Sequence, residues 1–544
     1  MYIYFTNILP AIAFGFFLTD RTAGQIGILE VMLSMGVSGT LYGLLAGQPL
    51  VIVGVTGPIS IFYDTMFHLA ASWGYAFLPW MAWVAFWAAL MHVALGALNA
   101  SDLVRWTTRF SGEIFGVLIA LVYIARAIQE FVSQFDAQPL AAALLALLLG
   151  LGTWLVAAAL SGAGGWVVLT KGLRGLIADY AAAVAIVLFT ALQFLPKFAQ
   201  AGVEHLSMPL TFRPTADRAW LVPFWEVPVG GVFAALLPAF ILTVLFYFDH
   251  NVSAMLAQQP EYRLRKPPSY NWDFVVLGLT VFLTGLLGLP ANNGLIPQSP
   301  LHVRALARIR EVRRGHAVVE EWDGVCETRV SSVAHAVLIG VTCAPPFLYL
   351  ISWIPRGVLA GLFLYMGFAS FHGNELADRV LLQITRRRDA DGRLHARYLP
   401  LPPRRTTAFT LIQAVIAAAV FGITYTPADI VFPVLIALLV PLRLYGLSRV
   451  FTAEELALLD EDVPRPLHTD ALAEALPSVV TALDGEGAAK DSPPPPPAAA
   501  AAADGTAAGN GHAPEVIELA ATTTDEIALP RRRSVAHEVG PQES

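Results

Sequence analysis

The sequence predicts an all-α polytopic membrane protein, and three observations carry the prediction. Hydrophobic residues fill 56% of the 544 positions and charged ones only 14%, against about 25% charged in ordinary soluble domains. Apolar runs of about 20 residues, long enough to span the hydrocarbon core as helices, recur along the chain as far as residue 446. Two of these runs, in corresponding places, are interrupted by prolines, glycines and polar side chains.

Taken in order, the runs cover 1–18, 24–46, 50–69, 75–98, 112–133, 140–162, 176–196, 229–257, 273–289, 296–310, 329–350, 354–371, 407–425 and 427–446. That gives about 14 transmembrane segments, readable as two halves of seven. The first is a span and not a cleaved signal, because apolar segments continue after it. Basic stretches at 261–268, 304–314 and 386–405 belong on the cytoplasmic side by the positive-inside rule, which places both termini in the cytoplasm. From Phe451 onward there are 17 acidic and 5 basic residues, a net of −12 that leaves +5 for the rest of a chain whose total is −7. With its polyproline and polyalanine runs, the 451–544 segment reads as a disordered acidic cytoplasmic tail, and 1–450 as the transmembrane domain. Two cysteines exclude a disulfide framework and a cysteine-based zinc site. No Walker loop, dinucleotide fingerprint, nucleophile elbow or HExxH is present, which disfavours an ATP-driven pump and a membrane protease of that type. No cofactor, metal or nucleic acid is indicated.

The interrupted runs are "GQPLVIVGVTGPISIFYD" at 47–64, in span three, and "GLPANNGLIPQSPLHVRALA" at 288–307, in span ten. Irregular backbone at membrane depth survives only where protein or a water-lined cavity covers it. Each stretch has an extended run, a hydroxyl residue, a proline and then an apolar helix. Thr56-Gly57-Pro58 and Ser299-Pro300 are expected to start helices, with the hydroxyl capping free N–H groups. Three and ten are equivalent positions in two seven-span halves, the pattern of inverted repeats with a binding site at the broken helices. Two half-helix N-termini facing one another suit an anion or an oxygen-rich solute.

Acidic side chains inside spans are costly. Asp249, in "LFYFDHNVSAML", stands mid-helix beside His250, Asn251 and Ser253. It reads as a functional carboxylate for a proton, a cation or substrate hydroxyls, with a structural hydrogen-bonding role as the alternative. Glu30, Asp64, Glu113 and Glu130 read as structural, and His92, His335 and His372 as packing or interface residues. The tryptophan-rich "WMAWVAFW" at 80–87 is expected to face lipid or the interface.

The stretches "AGQPLVIVGVTGP", "FLPWMAW", "NASDL", "SGEIFG", "YFDHNVSAMLAQ", "LRKPPSYNWD", "NGLIPQSPLH" and "ETRVSS" resemble the bicarbonate-transporter family (solute carrier family 4), and within it the borate exporters of fungi and plants. The resemblance runs from Met1 to about Leu447. The sequence begins inside its first expected span; the family commonly carries a cytoplasmic segment ahead of that span, and either this protein lacks it or the sequence starts short of it. The resemblance implies fourteen spans as 7+7 inverted repeats, with half-helices in spans three and ten. It implies a core of about 1–98 and 229–350, a gate of about 112–196 and 354–446, homodimerisation through the gate, and elevator-like movement of core against gate. Asp249 matches the family's acidic position on span eight. Gln298 falls where animal chloride/bicarbonate exchangers carry arginine. Thr56, Gly57, Asn292, Asn293 and Ser299 are further substrate-site candidates around the half-helix starts.

A fixed arginine favours anions. An amide offers donors and an acceptor without charge, which matches boric acid and borate. The implied function is borate or boric acid efflux at the plasma membrane, with a proton or cation offsetting Asp249 during the cycle. The alternative on the same fold is exchange of bicarbonate or another inorganic anion. From a different class, a membrane scaffold or solute sensor would use the tail to recruit partners.

Overall fold

The computed structural model describes residues 1–106, 108–314, 317–385, 401–426 and 431–460. Helices dominate. The first group is α1 (Tyr2–Arg21), α2 (Ile28–Leu45), α3 (Gly57–Trp73) and α4 (Phe77–Ala97). It is followed by α5 (Arg109–Ala137), α6 (Leu140–Ser161), α7 (Lys171–Asp179) and α8 (Ala181–Leu192). Short α9 (Pro196–Ala199) and α10 (Val229–Ala234) precede α11 (Leu236–Ala257), α12 (Tyr270–Leu286) and α13 (Gln298–Ala305). Then come α14 (Arg329–Thr342), α15 (Pro345–Ser352), α16 (Arg356–Ala369), α17 (Glu375–Thr385), α18 (Pro403–Ile423), α19 (Phe432–Pro441) and α20 (Ala453–Leu459).

Eight helices among the described residues are long and apolar enough to cross a bilayer, and two bent pairs, α7–α8 at 64° and α14–α15 at 75°, add to them. The protein is thus an all-α polytopic membrane protein. Several of the expected continuous spans are broken or short. Proline at the start of α15 ends α14, because its ring and missing N–H cannot continue the preceding helix. The α16 helix has 14 residues, about 21 Å at 1.5 Å per residue, less than the ~30 Å core. The 296–310 run is the largest departure. Its helix has only 8 residues, Gln298–Ala305, and the chain then enters an antiparallel hairpin of β3 (Ala307–Arg314) and β4 (Ala317–Val325). Four arginines and a glutamate in "ARIREVRR" make this stretch too charged to continue a span. Residues 427–430 of the last expected span lie outside the described residues.

Two sets of helix contacts dominate the packing. In one, α4 lies along α12 and α11, and α2 lies against α14, α1 and α12. In the other, α5 packs on α16 and α18, and α6 on α16 and α8. The α6–α16 approach depends on missing side chains: a Cβ at Gly357 or Gly361 would collide with the backbone of Ala146 or Gly150. Small residues of this kind let membrane helices touch backbone to backbone.

Two-residue strands β1 (Val53–Gly54) and β2 (Asn293–Gly294) pair antiparallel, Val53 with Gly294 and Gly54 with Asn293. The pairing extends through Leu295 N–H, which donates to Ile52 O at 2.8 Å. It satisfies the backbone between helices and brings the starts of α3 and α13 together.

The aromatic cluster at 80–87 does not simply face lipid. Trp80 is fully buried. The indole N–H groups of Trp80, Trp83 and Trp87 donate to the carbonyls of Gly231, Phe224 and Val232 at 3.0, 2.8 and 2.9 Å. A buried indole needs such an acceptor, so the cluster ties α4 to the segment entering α11.

The folded part also reaches beyond residue 450, into the stretch expected to be disordered. Thr452 caps α20 in a reciprocal box with Glu455, and Phe451, Leu456 and Leu459 are buried. Asp460 accepts from Phe110 N–H at 2.7 Å and is paired with Arg443. The local apolar residues and the cap outweigh the polar composition of the tail as a whole. Residues 461–544 of that tail lie outside the described residues.

Candidate functional site

The site is built where β1 and β2 meet α11. Gly294 lies so close to α11 that an added Cβ would stand 3.0 Å from both His250 Nδ1 and Ser253 Cβ. Ser253 hydroxyl donates to Leu295 O at 3.0 Å and lies 2.8 Å from Ser299 Oγ. Ser299 Oγ in turn accepts from Ile52 N–H at 3.0 Å. These bonds fix both broken segments against one face of α11, the face that carries Asp249.

A cavity of about 750 Å³ opens beside this junction. Thr6, Asn7, Thr56, Tyr123, Asp249 and Gln298 are among its polar lining residues, Arg109, Glu113, Asp179, His372 and Glu375 are its other acidic or basic ones, and most of the wall is apolar. Thr56 hydroxyl donates to Asp249 Oδ2 at 3.5 Å. Asp249 is 2% exposed, and its Oδ1 has no protein hydrogen-bond partner. Gln298 donates from Nε2 to Thr6 O at 3.4 Å, while its Oε1 is buried without a partner. Asn7 Oδ1 is likewise buried and unpartnered, with Nδ2 3.1 Å from His335 Nε2. A buried polar atom without a partner costs about 1–3 kcal/mol. These three oxygens, on Asp249, Gln298 and Asn7, border this one cavity. Arg109 is the only arginine or lysine among the lining residues, and Glu375 Oε1 accepts from it at 2.5 Å.

The expected site residues separate on inspection. Thr56, Asp249 and Gln298 meet on the cavity. Asn293 sits within interaction reach of Asp249, and its Oδ1 accepts from Gly294 N–H at 2.8 Å. Asn292 is turned into the packing, donating to Ser34 and Ser38 hydroxyls at 2.6 and 2.8 Å. Ser299 is fully buried in the Ser253–Ile52 junction. Gly57 is covered by Tyr123, whose Cε1 would lie 2.7 Å from a Cβ at that position. The expected hydroxyl caps are absent: Thr56 caps α3 by position but its side chain accepts no cap bond, and α13 begins at Gln298, ahead of Ser299. Thr56 hydroxyl is directed to Asp249 instead.

The other acidic residues are in structural bonds. Glu30 accepts from Gly27 N–H at 2.9 Å and from Thr215 N–H and Oγ1, each at 2.6 Å. Glu113 pairs with Arg379 at 2.9 Å. Asp64 lies 3.7 Å from Arg126 and 3.9 Å from Arg21. Arg356 holds Glu130, Glu204 and Asp20 at 2.9, 3.0 and 2.8 Å. His92 is buried and stacked on Phe274 at 4.4 Å between ring centroids. Among the described residues, no group of three His, Cys, Asp or Glu side chains is arranged to hold a metal.

Sequence reasoning did not single out Tyr123 or Asn7. Neither belongs to a local motif. The one available signal was a polar side chain inside an apolar span, and many such residues are only packing groups.

Comparison with known proteins agrees with this architecture. The family model described as the HCO3- transporter integral membrane domain matches residues 1–143 and 138–464. Boron transporter 1 of Saccharomyces cerevisiae is 35% identical over 476 residues, covering 85% of this chain and 80% of that protein. Band 3 anion transport protein of Gallus gallus is 30% identical over 500 residues, covering 85% of this chain and 52% of that protein. The transmembrane domain of the cyanobacterium bicarbonate transporter BicA superposes with a TM-score of 0.53 at 16% identity, covering 79% of this chain and 96% of that one. That last likeness concerns the fold alone.

Proposed function

Because the chain belongs to the bicarbonate-transporter family, whose members are membrane transporters and not enzymes, we propose that it exports borate or boric acid across the plasma membrane. The observation that carries this reading is the polar end of the cavity. Asp249, Gln298 and Asn7 present buried unpartnered oxygens there, and the one lining arginine is already paired with Glu375. Boric acid is neutral and carries three hydroxyl groups. Carboxylate and amide oxygens accept from those hydroxyls, and the Gln298 amide, with only one Nε2 bond to Thr6 O, can donate. The name and 35% identity of the yeast boron transporter support the same choice of substrate.

The two sets of helix contacts support a transport cycle with two moving parts. The set containing α1–α4 and α11–α14 forms the core, and the set containing α5–α8 and α16–α19 forms the gate. Fourteen spans arise as 7+7 inverted repeats when the broken segments before α3 and α13 are counted as half-helices. The core carries substrate past the gate in an elevator-like movement, and gates of two copies pair in a homodimer. Both termini are cytoplasmic. On this orientation the cavity rim at Arg109, Gln259 and Glu375 faces the cytoplasm, and the Arg356 cluster lies toward the outside. A proton or cation offsets Asp249 whenever a charged solute occupies the site, since two negative charges at low dielectric repel strongly.

The decisive experiment measures boron content in cells lacking their own exporter, with wild type, Asp249→Ala and Gln298→Ala at matched surface levels. The expected result is lowered boron with wild type, little change with Asp249→Ala and a smaller lowering with Gln298→Ala. Boron unaffected by wild type overturns the reading. The second reading, exchange of bicarbonate or another inorganic anion, draws on the 30% identity to Band 3. It predicts bicarbonate-dependent recovery of intracellular pH in the same cells.

A further inference from the structure

A second concavity, which shares no lining residue with the Asp249 cavity, has a different character. It is about 300 Å³ and is lined by Arg263, Arg265, Lys266 and Arg308, together with Asp323 and Glu327. It lies between the chain leaving α11 and the base of the β3–β4 hairpin. The four cations are exposed, and among the described residues none of their side chains has a hydrogen-bond or ion-pair partner.

Asp323 and Glu327 neutralise this cluster only in part, leaving four positive against two negative lining side chains. Glu327 is occupied by the loop backbone: its carboxylate accepts from Arg265 N–H at 2.5 Å and Lys266 N–H at 3.2 Å, and from Gln48 Nε2 at 3.4 Å. It thus fixes the loop that presents the cations. Arg263 has φ +48°, a left-handed conformation that is uncommon for a side chain of this size. It turns the backbone so that Arg263 and Arg265 both border the concavity. Gathering four unpaired positive charges costs repulsion energy, and a polyanion reverses its sign. The positive-inside rule accounts for how many cations lie on this side. It does not account for their convergence on a hollow.

The surroundings indicate the type of polyanion. Trp272 follows closely in the chain, is half-exposed, and donates its indole N–H to Leu45 O at 2.9 Å. Amphipathic tryptophans of this kind mark the membrane–water interface. Basic hollows at the cytoplasmic ends of membrane helices hold phosphorylated headgroups. We infer that this hollow binds a multiply phosphorylated headgroup, through charge-assisted bonds from Arg263, Arg265, Lys266 and Arg308. The inference uses the cytoplasmic orientation proposed above but not the transported solute.

The test is binding by the full-length protein, independent of transport. Protein in nanodiscs of phosphatidylcholine alone is compared with protein in discs containing a few per cent phosphatidylinositol bisphosphate, and soluble inositol trisphosphate is titrated separately. The readouts are bound lipid by native mass spectrometry and the shift in thermal unfolding. Arg265→Gln with Arg308→Gln is expected to weaken binding about 30-fold, from about 1 kcal/mol per cation converted to affinity. A charge-matched control outside the lining, Arg404→Gln with Arg449→Gln, is expected to change it by less than about three-fold, because salt screens exposed charges that do not touch the ligand. Binding of the soluble headgroup with equal site dependence identifies a phosphate site; dependence only in bilayers identifies a lipid site. Equal losses in the two double variants, or no preference over phosphatidylcholine discs, overturn the inference. Boron export that fails while this binding persists would refute only the transport reading.

Discussion

Thr56 Oγ1 stands 3.5 Å from Asp249 Oδ2, although 193 residues separate them. One residue precedes the first turn of α3, and the other lies in the middle of α11. Their meeting joins a broken segment to a buried carboxylate. It also leaves Asp249 Oδ1 without a protein partner on the cavity side.

Asp249→Ala is expected to reduce boron efflux about 10- to 100-fold, the range of a lost hydrogen bond to a charged group. Asp249→Asn keeps the shape and one acceptor. Efflux from Asn-substituted protein within about two-fold of wild type would mean that the negative charge is dispensable. Loss as deep as in Asp249→Ala would mean that the carboxylate itself takes part.

Gln298→Ala removes neutral hydrogen bonds and is expected to weaken apparent boric acid affinity roughly five-fold. Gln298→Arg places a permanent cation beside Asp249 and is expected to suppress boron efflux while favouring inorganic anions. Radiotracer chloride and boron fluxes on the same vesicles separate these effects. Unchanged boron efflux in the arginine variant would remove Gln298 from the site.

Gly57→Ala puts a Cβ 2.7 Å from Tyr123 Cε1. Overpacking of this kind costs about 1–3 kcal/mol, so detergent-solubilised protein is expected to unfold at lower temperature. Adding Tyr123→Leu, which removes the contacting ring edge, is expected to recover part of that loss. Additive losses in the double variant would show that the two positions do not touch.

Arg356 joins three acidic residues from separate parts of the chain, Asp20, Glu130 and Glu204. Arg356→Gln leaves them mutually repulsive. Breaking a fully buried pair costs about 3–5 kcal/mol, and the partial exposure of Asp20 and Glu204 reduces the expected loss to about 2 kcal/mol. Thermal unfolding of the variant in detergent checks this, and an unchanged midpoint would show that solvent already screens the cluster.

The α20 helix gives a pH prediction. The Arg405 guanidinium, aided by Thr452 N–H, holds the Glu455 carboxyl below its ordinary value. A depressed carboxylate stabilises the fold above its unfolded value of about 4.3, and this contribution disappears as pH falls through the lower folded value. Proteolytic cutting near residue 450 is therefore expected to be constant from neutral pH to about pH 5 and to rise in more acidic solution. Glu455→Gln should lose the pH dependence. Truncation after Asp460 should leave the membrane part stable, whereas truncation after Val450 removes the carboxylate that holds Phe110 N–H.

Several features were legible along the chain because they depend on short-range periodicity. Span-length apolar runs gave α1, α2, α4, α5, α6 and α11. The prolines and amides at 288–307 marked a real interruption, and Asp249 drew attention because a carboxylate in an apolar run is costly. Other features were hidden. The length of α13 was overestimated, since apolar content cannot distinguish a short helix followed by a strand from one span. Asn292 and Ser299 resembled Asn293 and Gln298 in sequence, yet they face the packing.

The sequence by itself determined that this chain lives in a bilayer, that its third and tenth apolar runs are interrupted, and which carboxylate stands in the middle of a helix. Those properties follow from transfer free energy and local backbone chemistry, which act residue by residue. Only the tertiary structure decided that β1 pairs with β2, that Thr56 turns to Asp249 and not to its own helix, and that Tyr123 and Asn7 border the same cavity. These outcomes depend on contacts between segments hundreds of residues apart. A side chain's partner is selected by the packing of whole helices, and no local pattern encodes that choice.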